Sequence, residues 1–270
     1  MIKIPFTKAH GAHNDFLLTW AHEAPSESLL PRAAAAICHR NTGVGADGWL
    51  LVKPPADGHP AAIRLLNSDG SEAEISGNGT RCAAAFLCDS DLVGDEIVIE
   101  TGAGDKHLRC LERTGLSYLF EMQMGQARID EGGLRFQLPC RAGARECTIL
   151  WVGNPQCALF VDDFEFDWKA LGAEIERHPQ FPNRTNVSFV KVLDRHSLDV
   201  RFFERGAGFT MSSGTGSTGA VAAALARGLV ESPVTVHTLA GPLSFRSEGA
   251  ALTMVGPAEI VAGGEFYFDA

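Results

Sequence analysis

A chain of 270 residues, 45% of them apolar and 21% charged, can bury a sizeable core, which excludes disorder as the default. Asp plus Glu outnumber Lys plus Arg by 33 to 23, and the resulting charge of −10 argues against nucleic acid or an anionic membrane as partner. Seven scattered cysteines (Cys38, Cys82, Cys88, Cys110, Cys140, Cys147 and Cys157), with no C-x-x-C, form neither a disulfide framework nor a metal set; they read as reduced, mostly buried thiols.

Residues 1–10 carry Pro5 and Lys8 where a signal peptide needs an apolar core, and no apolar run approaches the roughly 18 residues of a membrane span. A cytoplasmic protein is expected. Residues 28–38 predict a peripheral helix. Gly43-Val44-Gly45-Ala46-Asp47-Gly48 fits G-x-G-x-x-G but leads into a strand-like run and Pro54-Pro55, so it opens no helix and is no nucleotide loop. Strands are expected at 48–52, 63–66, 96–101, 117–122, 157–161, 187–192, 198–203, 234–238, 243–246, 251–255 and 265–268, with a second peripheral helix at 169–178.

Two stretches repeat. Ile63-Arg64-Leu65-Leu66 and Val200-Arg201-Phe202-Phe203 each precede a Ser-Gly-x-Gly turn, Ser76-Gly77-Asn78-Gly79 and Ser213-Gly214-Thr215-Gly216. Each turn opens an alanine-rich run with few charges, the mark of a buried helix. The offset is 137 residues in both comparisons, and Arg40 and Arg177 share it. The economical explanation is two homologous halves, 1–125 and 126–270, with strand exchange between them and a site in the cleft where they meet. Many short strands around two good helices predict an α+β fold of two pseudosymmetric halves, each a curled, mostly antiparallel sheet around a central helix.

A glycine-rich turn at a helix N-terminus presents unpaired N–H groups and partial positive charge, and so suits a carboxylate or phosphate. Two such ends converging on one carboxylate would leave Ser76 and Ser213 facing one another, as racemisation of an α-carbon requires. The plain alternative is that both serines only cap core helices. No Walker motif, G-x-S-x-G elbow or H-E-x-x-H is present in the sequence.

At these residues the sequence resembles the diaminopimelate epimerases, within the proline racemase-like, cofactor-independent isomerases. The resemblance is carried by Lys8-Ala9-His10-Gly11-Ala12-His13-Asn14-Asp15-Phe16 and Asn67-Ser68-Asp69-Gly70-Ser71-Glu72-Ala73-Glu74. It continues through Gly77-Asn78-Gly79-Thr80-Arg81-Cys82, Gly153-Asn154-Pro155, Thr185-Asn186-Val187, Glu204-Arg205-Gly206-Ala207-Gly208 and Gly256-Pro257-Ala258-Glu259. It implies interconversion of LL- and meso-diaminopimelate in lysine and peptidoglycan precursor synthesis, with a small amino-acid substrate, no cofactor or metal, and a homodimer. It also implies that Asn14, Asn67, Asn154, Asn186, Glu204 and Arg205 contact substrate, the asparagines with Glu204 and Arg205 holding its distal end. Gly77, Asn78, Gly214 and Thr215 would hold the reacting carboxylate, and Ser76 and Ser213 stand where the family has its two catalytic cysteines. A further departure is Gln156, where the family usually has His. Serine does not ionise at neutral pH without a strong neighbouring base. Three explanations compete: a family member that works with serine, on the family's reaction or a related isomerisation or elimination; a natural binder of a diamino acid or other carboxylate; and deliberate replacement of both cysteines. Gln156 and Met211-Ser212-Ser213 favour natural divergence.

Overall fold

The computed structural model describes residues 1–269. The chain divides into two compact units, residues 1–122 with 256–270, and residues 123–255. The final segment thus belongs with the first unit, whereas the repeat by itself suggests a division near residue 125.

In the first unit β1 (Ile2–Gly11) and β2 (Asn14–Trp20) form a hairpin whose tip, Ala12 and His13, has φ of 49° and 60°. Helix α1 (Leu30–Cys38) carries the chain over to β3 (Gly48–Lys53), which lies parallel to β2. Proline in the first turn of α1 suits a helix start. Leu30, Ala33, Ala34 and Ile37 recur at helical spacing and bury one face of α1 against Trp49 and Leu66. Strand β4 (Ala61–Asn67) pairs antiparallel with β3 and with the short β5 (Glu72–Ala73), and α2 (Gly77–Asp89) follows. Strand β6 (Glu96–Glu100) lies parallel to β4, and β7 (Lys106–Thr114) and β8 (Ser117–Gln126) continue as a meander. Every residue of α2 from Gly77 to Cys88 is buried, so no face of the helix is left to solvent. Burying side chains such as Leu87 and Phe86 stabilises the unit by roughly 1.5–3 kcal/mol each.

The second unit repeats this order. Strand β9 (Phe136–Leu138) and β10 (Arg145–Trp151) precede β11 (Pro155–Phe160), and β10 and β11 are antiparallel. Helix α3 (Trp168–Glu176) crosses to β12 (Asn186–Asp194), parallel to β11. Strands β13 (Ser197–Glu204) and β14 (Gly208–Thr210) then lead into α4 (Gly214–Ala226). Strand β15 (Val234–Thr238) runs parallel to β13, and β16 (Gly241–Glu248) and β17 (Ala251–Phe268) close the order. Helices α2 and α4 begin and end 137 residues apart, as the repeat requires.

The expected strands at 251–255 and 265–268 are the two ends of one strand, β17, whose residues 259–268 pair with β1. Strands β1, β2, β5, β7, β9, β10 and β14 are additions to the expected set. Pro5 and Lys8 interrupt the apolar pattern of β1, and Pro5 fits because a strand tolerates proline where no ladder N–H is needed. The peripheral helices lie at Leu30–Cys38 and Trp168–Glu176, within two residues of their expected ends. All seven cysteines are free thiols, Cys110 and Cys140 half-buried and the rest buried.

Candidate active site

Each Ser-Gly-x-Gly turn is a helix N-terminus, capped by its own serine. Ser76 is extended, with φ −129°, and its Oγ accepts the N–H of Gly79 at 3.1 Å. Ser213 has the same conformation, with φ −144°, and accepts from Gly216 N at 3.0 Å. The capping role is real in both. It leaves the N–H groups of Gly77 and Asn78, and of Gly214 and Thr215, without acceptors inside their helices. Glycine is required in the second turn: a Cβ on Gly216 would lie 2.8 Å from Phe202 and 2.9 Å from Ser213 Oγ.

The two serines differ in what else they touch. Ser213 is 3% exposed, and its hydroxyl donates to Glu204 Oε1 at 2.6 Å. Glu204 ends β13, nine residues before Ser213, and the turn through Gly206 and β14 returns the chain to bring the two together. Ser76 is half-buried, and among the described residues no carboxylate is hydrogen-bonded to it. The resemblance sets Glu204 at the distal end of a substrate; the structure ties its Oε1 to Ser213.

Around α2, Asn78 donates to Asn14 Oδ1 at 3.1 Å, and Asn14 donates to Asp47 Oδ2 at 2.6 Å. Asn67, at the end of β4, donates to Ser71 Oγ at 3.0 Å. Behind them Arg81 is fully buried and donates to Asn78 Oδ1, Gly77 O and Pro257 O. Burial pulls its guanidinium down to about 10, still charged at neutral pH.

Around α4, Gln156 donates to Asn154 Oδ1 at 2.6 Å, and Asn154 Nδ2 lies 3.4 Å from Thr215 Oγ1. Gln156 packs its stem against Gly219, where a Cβ would approach it to 3.3 Å. Asn186 bridges segments, donating to Pro155 O at 2.9 Å and accepting from Arg205 N at 3.0 Å. The next N–H, of Gly206, donates to Glu176 Oε1 at 3.1 Å. Glu176 is 2% exposed and its carboxylate is also held by Arg177 and Arg184.

The structure therefore gathers Asn14, Asn67, Ser76, Gly77 and Asn78 within the first unit, and Asn154, Asn186, Glu204, Arg205, Ser213, Gly214 and Thr215 within the second. Sequence reasoning passed over Asp47, Arg81 and Glu176. Asp47 stood in the glycine motif set aside because it opens no helix. Arg81 stood in the Gly77–Cys82 stretch that carries the resemblance but was given no role, and Glu176 carries no sequence signal beyond being a charged residue beside an apolar run.

Three of the buried cysteines are poor alternatives to the serines. Burial pushes Cys82 up to about 12, and Cys38 likewise, while Cys88 rises to about 11. Among the described residues no group of three or more His, Cys, Asp or Glu could hold a metal ion, and no helix is long and apolar enough to cross a membrane.

This duplicated α+β fold is shared with amino-acid epimerases. A hydroxyproline epimerase from Agrobacterium vitis with bound trans-4-hydroxy-L-proline superposes with a TM-score of 0.75 at 16% identity, over 98% of this chain and 91% of that one. A phenazine biosynthesis protein from Bacillus anthracis gives 0.71 at 14% identity, over 99% and 100%. In sequence, the chain is 38% identical to the diaminopimelate epimerase of Pelotomaculum thermopropionicum over 97% of this chain and 98% of that protein. It is 38% identical to that of Burkholderia ambifaria over 98% of both. The profile described as diaminopimelate epimerase matches residues 6–129 and 148–261. The chain belongs to the diaminopimelate epimerase family.

Proposed function

We propose that the protein interconverts LL- and meso-diaminopimelate in the cytoplasm, by proton removal from one face of the α-carbon and proton return to the other, without a cofactor. The observation that carries this reading is the 2.6 Å hydrogen bond from Ser213 Oγ to Glu204 Oε1. A serine hydroxyl alone is too weak a base to take a carbon-bound proton. With a carboxylate accepting its own hydrogen, Ser213 Oγ can take the α-proton as it passes its hydrogen to Glu204, so the net base is Glu204. The C–H electron pair is left on the α-carbon and spreads into the carboxylate. The N–H groups of Gly77, Asn78, Gly214 and Thr215 would hold that carboxylate and its growing charge.

Ser76, a half-buried residue, serves the other face as acid: as its O–H breaks and the new C–H forms, its oxygen takes a proton from water in the same step, so no alkoxide forms and the hydroxide left behind is neutralised by the proton that Glu204 releases. Glu204 returns its proton to water in turn. Asn14, Asn67, Asn154, Asn186 and Arg205 bind the rest of the substrate. Asn186 and Arg205 already form one hydrogen-bonded unit, and Asn154 reaches the first turn of α4. The resemblance adds a homodimer, which sedimentation equilibrium would remove by giving the mass of one chain.

The test is incubation with LL-diaminopimelate in deuterium oxide, following deuterium at the α-carbon by NMR and the appearance of the meso isomer. Exchange with epimerisation is the expected result. No exchange, both in the natural sequence and in Ser76→Cys/Ser213→Cys, overturns the proposal.

A further inference from the structure

The loop holding Gly43-Val44-Gly45-Ala46-Asp47-Gly48 has no part in the proton transfers, yet its acidic residue sits at the end of a chain of side-chain hydrogen bonds. Arg81 donates to Asn78 Oδ1 at 2.7 Å, Asn78 donates to Asn14 Oδ1 at 3.1 Å, and Asn14 donates to Asp47 Oδ2 at 2.6 Å. All three bonds run the same way, from a cation to an anion. The guanidinium can only donate and the carboxylate can only accept, so the two amides between them have one consistent orientation. Each amide keeps a second N–H for a ligand, and hydrogen bonds in such chains polarise one another.

Asp47 is itself fixed. Its Oδ1 accepts from Arg40 Nη2 at 2.6 Å, and its Oδ2 also accepts from Asp15 N at 3.1 Å. The backbone of the loop is locked on both sides: Asp47 N–H donates to Asp15 O, and Ser68 N–H donates to Asp47 O. Lys8 reaches in to donate to Gly45 O at 2.7 Å. Gly43 packs so closely on α1 that a Cβ would lie 2.2 Å from Ala36 O.

We propose that Asp47 is a positioning residue: as the anionic end of the chain it holds Asn14, and through Asn14 the Asn78 amide, in place for the substrate carboxylate beside the Ser76 turn. The inference rests on the proposed function for the identity of the ligand, and on geometry alone for the relay. Replacing the Asp47 carboxylate by an amide leaves the direction of the chain to Arg81 but exchanges a charged acceptor for a neutral one, so Asn14, and through it Asn78, is held and polarised less strongly. Asn67 is braced separately by Ser71, outside the chain.

The experiment has two readouts on the full-length protein. Calorimetry measures the Kd for LL-diaminopimelate in the natural sequence, Asp47→Asn, Asn14→Ala and the double variant. NMR of nitrogen-15-labelled protein follows the side-chain NH2 of Asn78. Asp47→Asn should weaken binding about tenfold, the loss of one charge-assisted hydrogen bond, and add nothing further in the Asn14→Ala background. It should also move the Asn78 NH2 resonances, although Asn78 is one residue removed from the change. Equal losses in both backgrounds, or unmoved Asn78 resonances, overturn the inference. Asp47→Ser is made in parallel, so one folded variant suffices. Absence of binding by the natural sequence overturns the proposed function, while the Asn78 resonances still decide the relay.

Discussion

Glu204 and Ser213 form the most consequential pair in the molecule, because the hydroxyl of Ser213, a residue only 3% exposed, gives its hydrogen to a carboxylate rather than to water. If Glu204 is the net base, Glu204→Gln keeps the shape and removes the basicity. The α-deuterium exchange rate should then fall by about 10²–10⁴, the usual contribution of a general base, while calorimetric binding of LL-diaminopimelate changes little. An unchanged exchange rate would remove Glu204 from the chemistry. At this scale the sequence was legible for the residue types and silent about pairing. Ser76 and Ser213 sit in matching motifs and adopt matching caps. Only the path of β13, β14 and α4 brings a carboxylate to one of them.

At the scale of elements, a recurring device is an arginine clamping the acidic residue that braces a site segment. Arg40 binds Asp15 through both guanidinium nitrogens, at 2.9 and 2.7 Å, and reaches Asp47. Arg177, at the same place in the repeat, binds Glu176, which receives the N–H of Gly206 beside Arg205. Burial pushes Asp15 up, but the hydrogen bonds and charges of Arg40 and Lys8 outweigh it, holding its carboxyl below the ordinary 3.8. A depressed acid stabilises the fold above its unfolded pKa, and that contribution is lost as pH falls through the folded value. The denaturant midpoint of the natural sequence should therefore decline between about pH 5 and pH 2. Arg40→Met should start lower at pH 7 and decline less over that window. Parallel slopes for the two proteins would show that the clamp does not couple Asp15 to folding.

For the molecule as a whole, the 137-residue repeat is realised element by element. Each unit has a hairpin, a helix crossing to a parallel strand, a serine-capped buried helix and a closing meander. The cysteine pattern also belongs to this scale. The thiols of Cys38, Cys82 and Cys88 are pushed well up by burial. Iodoacetamide should leave α-deuterium exchange by the natural sequence intact and abolish it in Ser76→Cys/Ser213→Cys. Inactivation of the natural sequence would give one of the seven cysteines a role the structure does not show.

The sequence by itself determined the α+β class, the duplication, the two serine-capped helix ends and the family. These follow from local patterns: alternation in strands, alanine-rich runs, and glycine where a backbone must be approached closely. Only the tertiary structure decided which acid faces which hydroxyl, that Asp47 closes a hydrogen-bond chain begun at Arg81, and that residues 256–270 belong with the first unit. Those facts depend on contacts such as Arg81 with Pro257, 176 residues apart. Side-chain pairing across such separations is set by how strands stack and cross, which no local periodicity encodes.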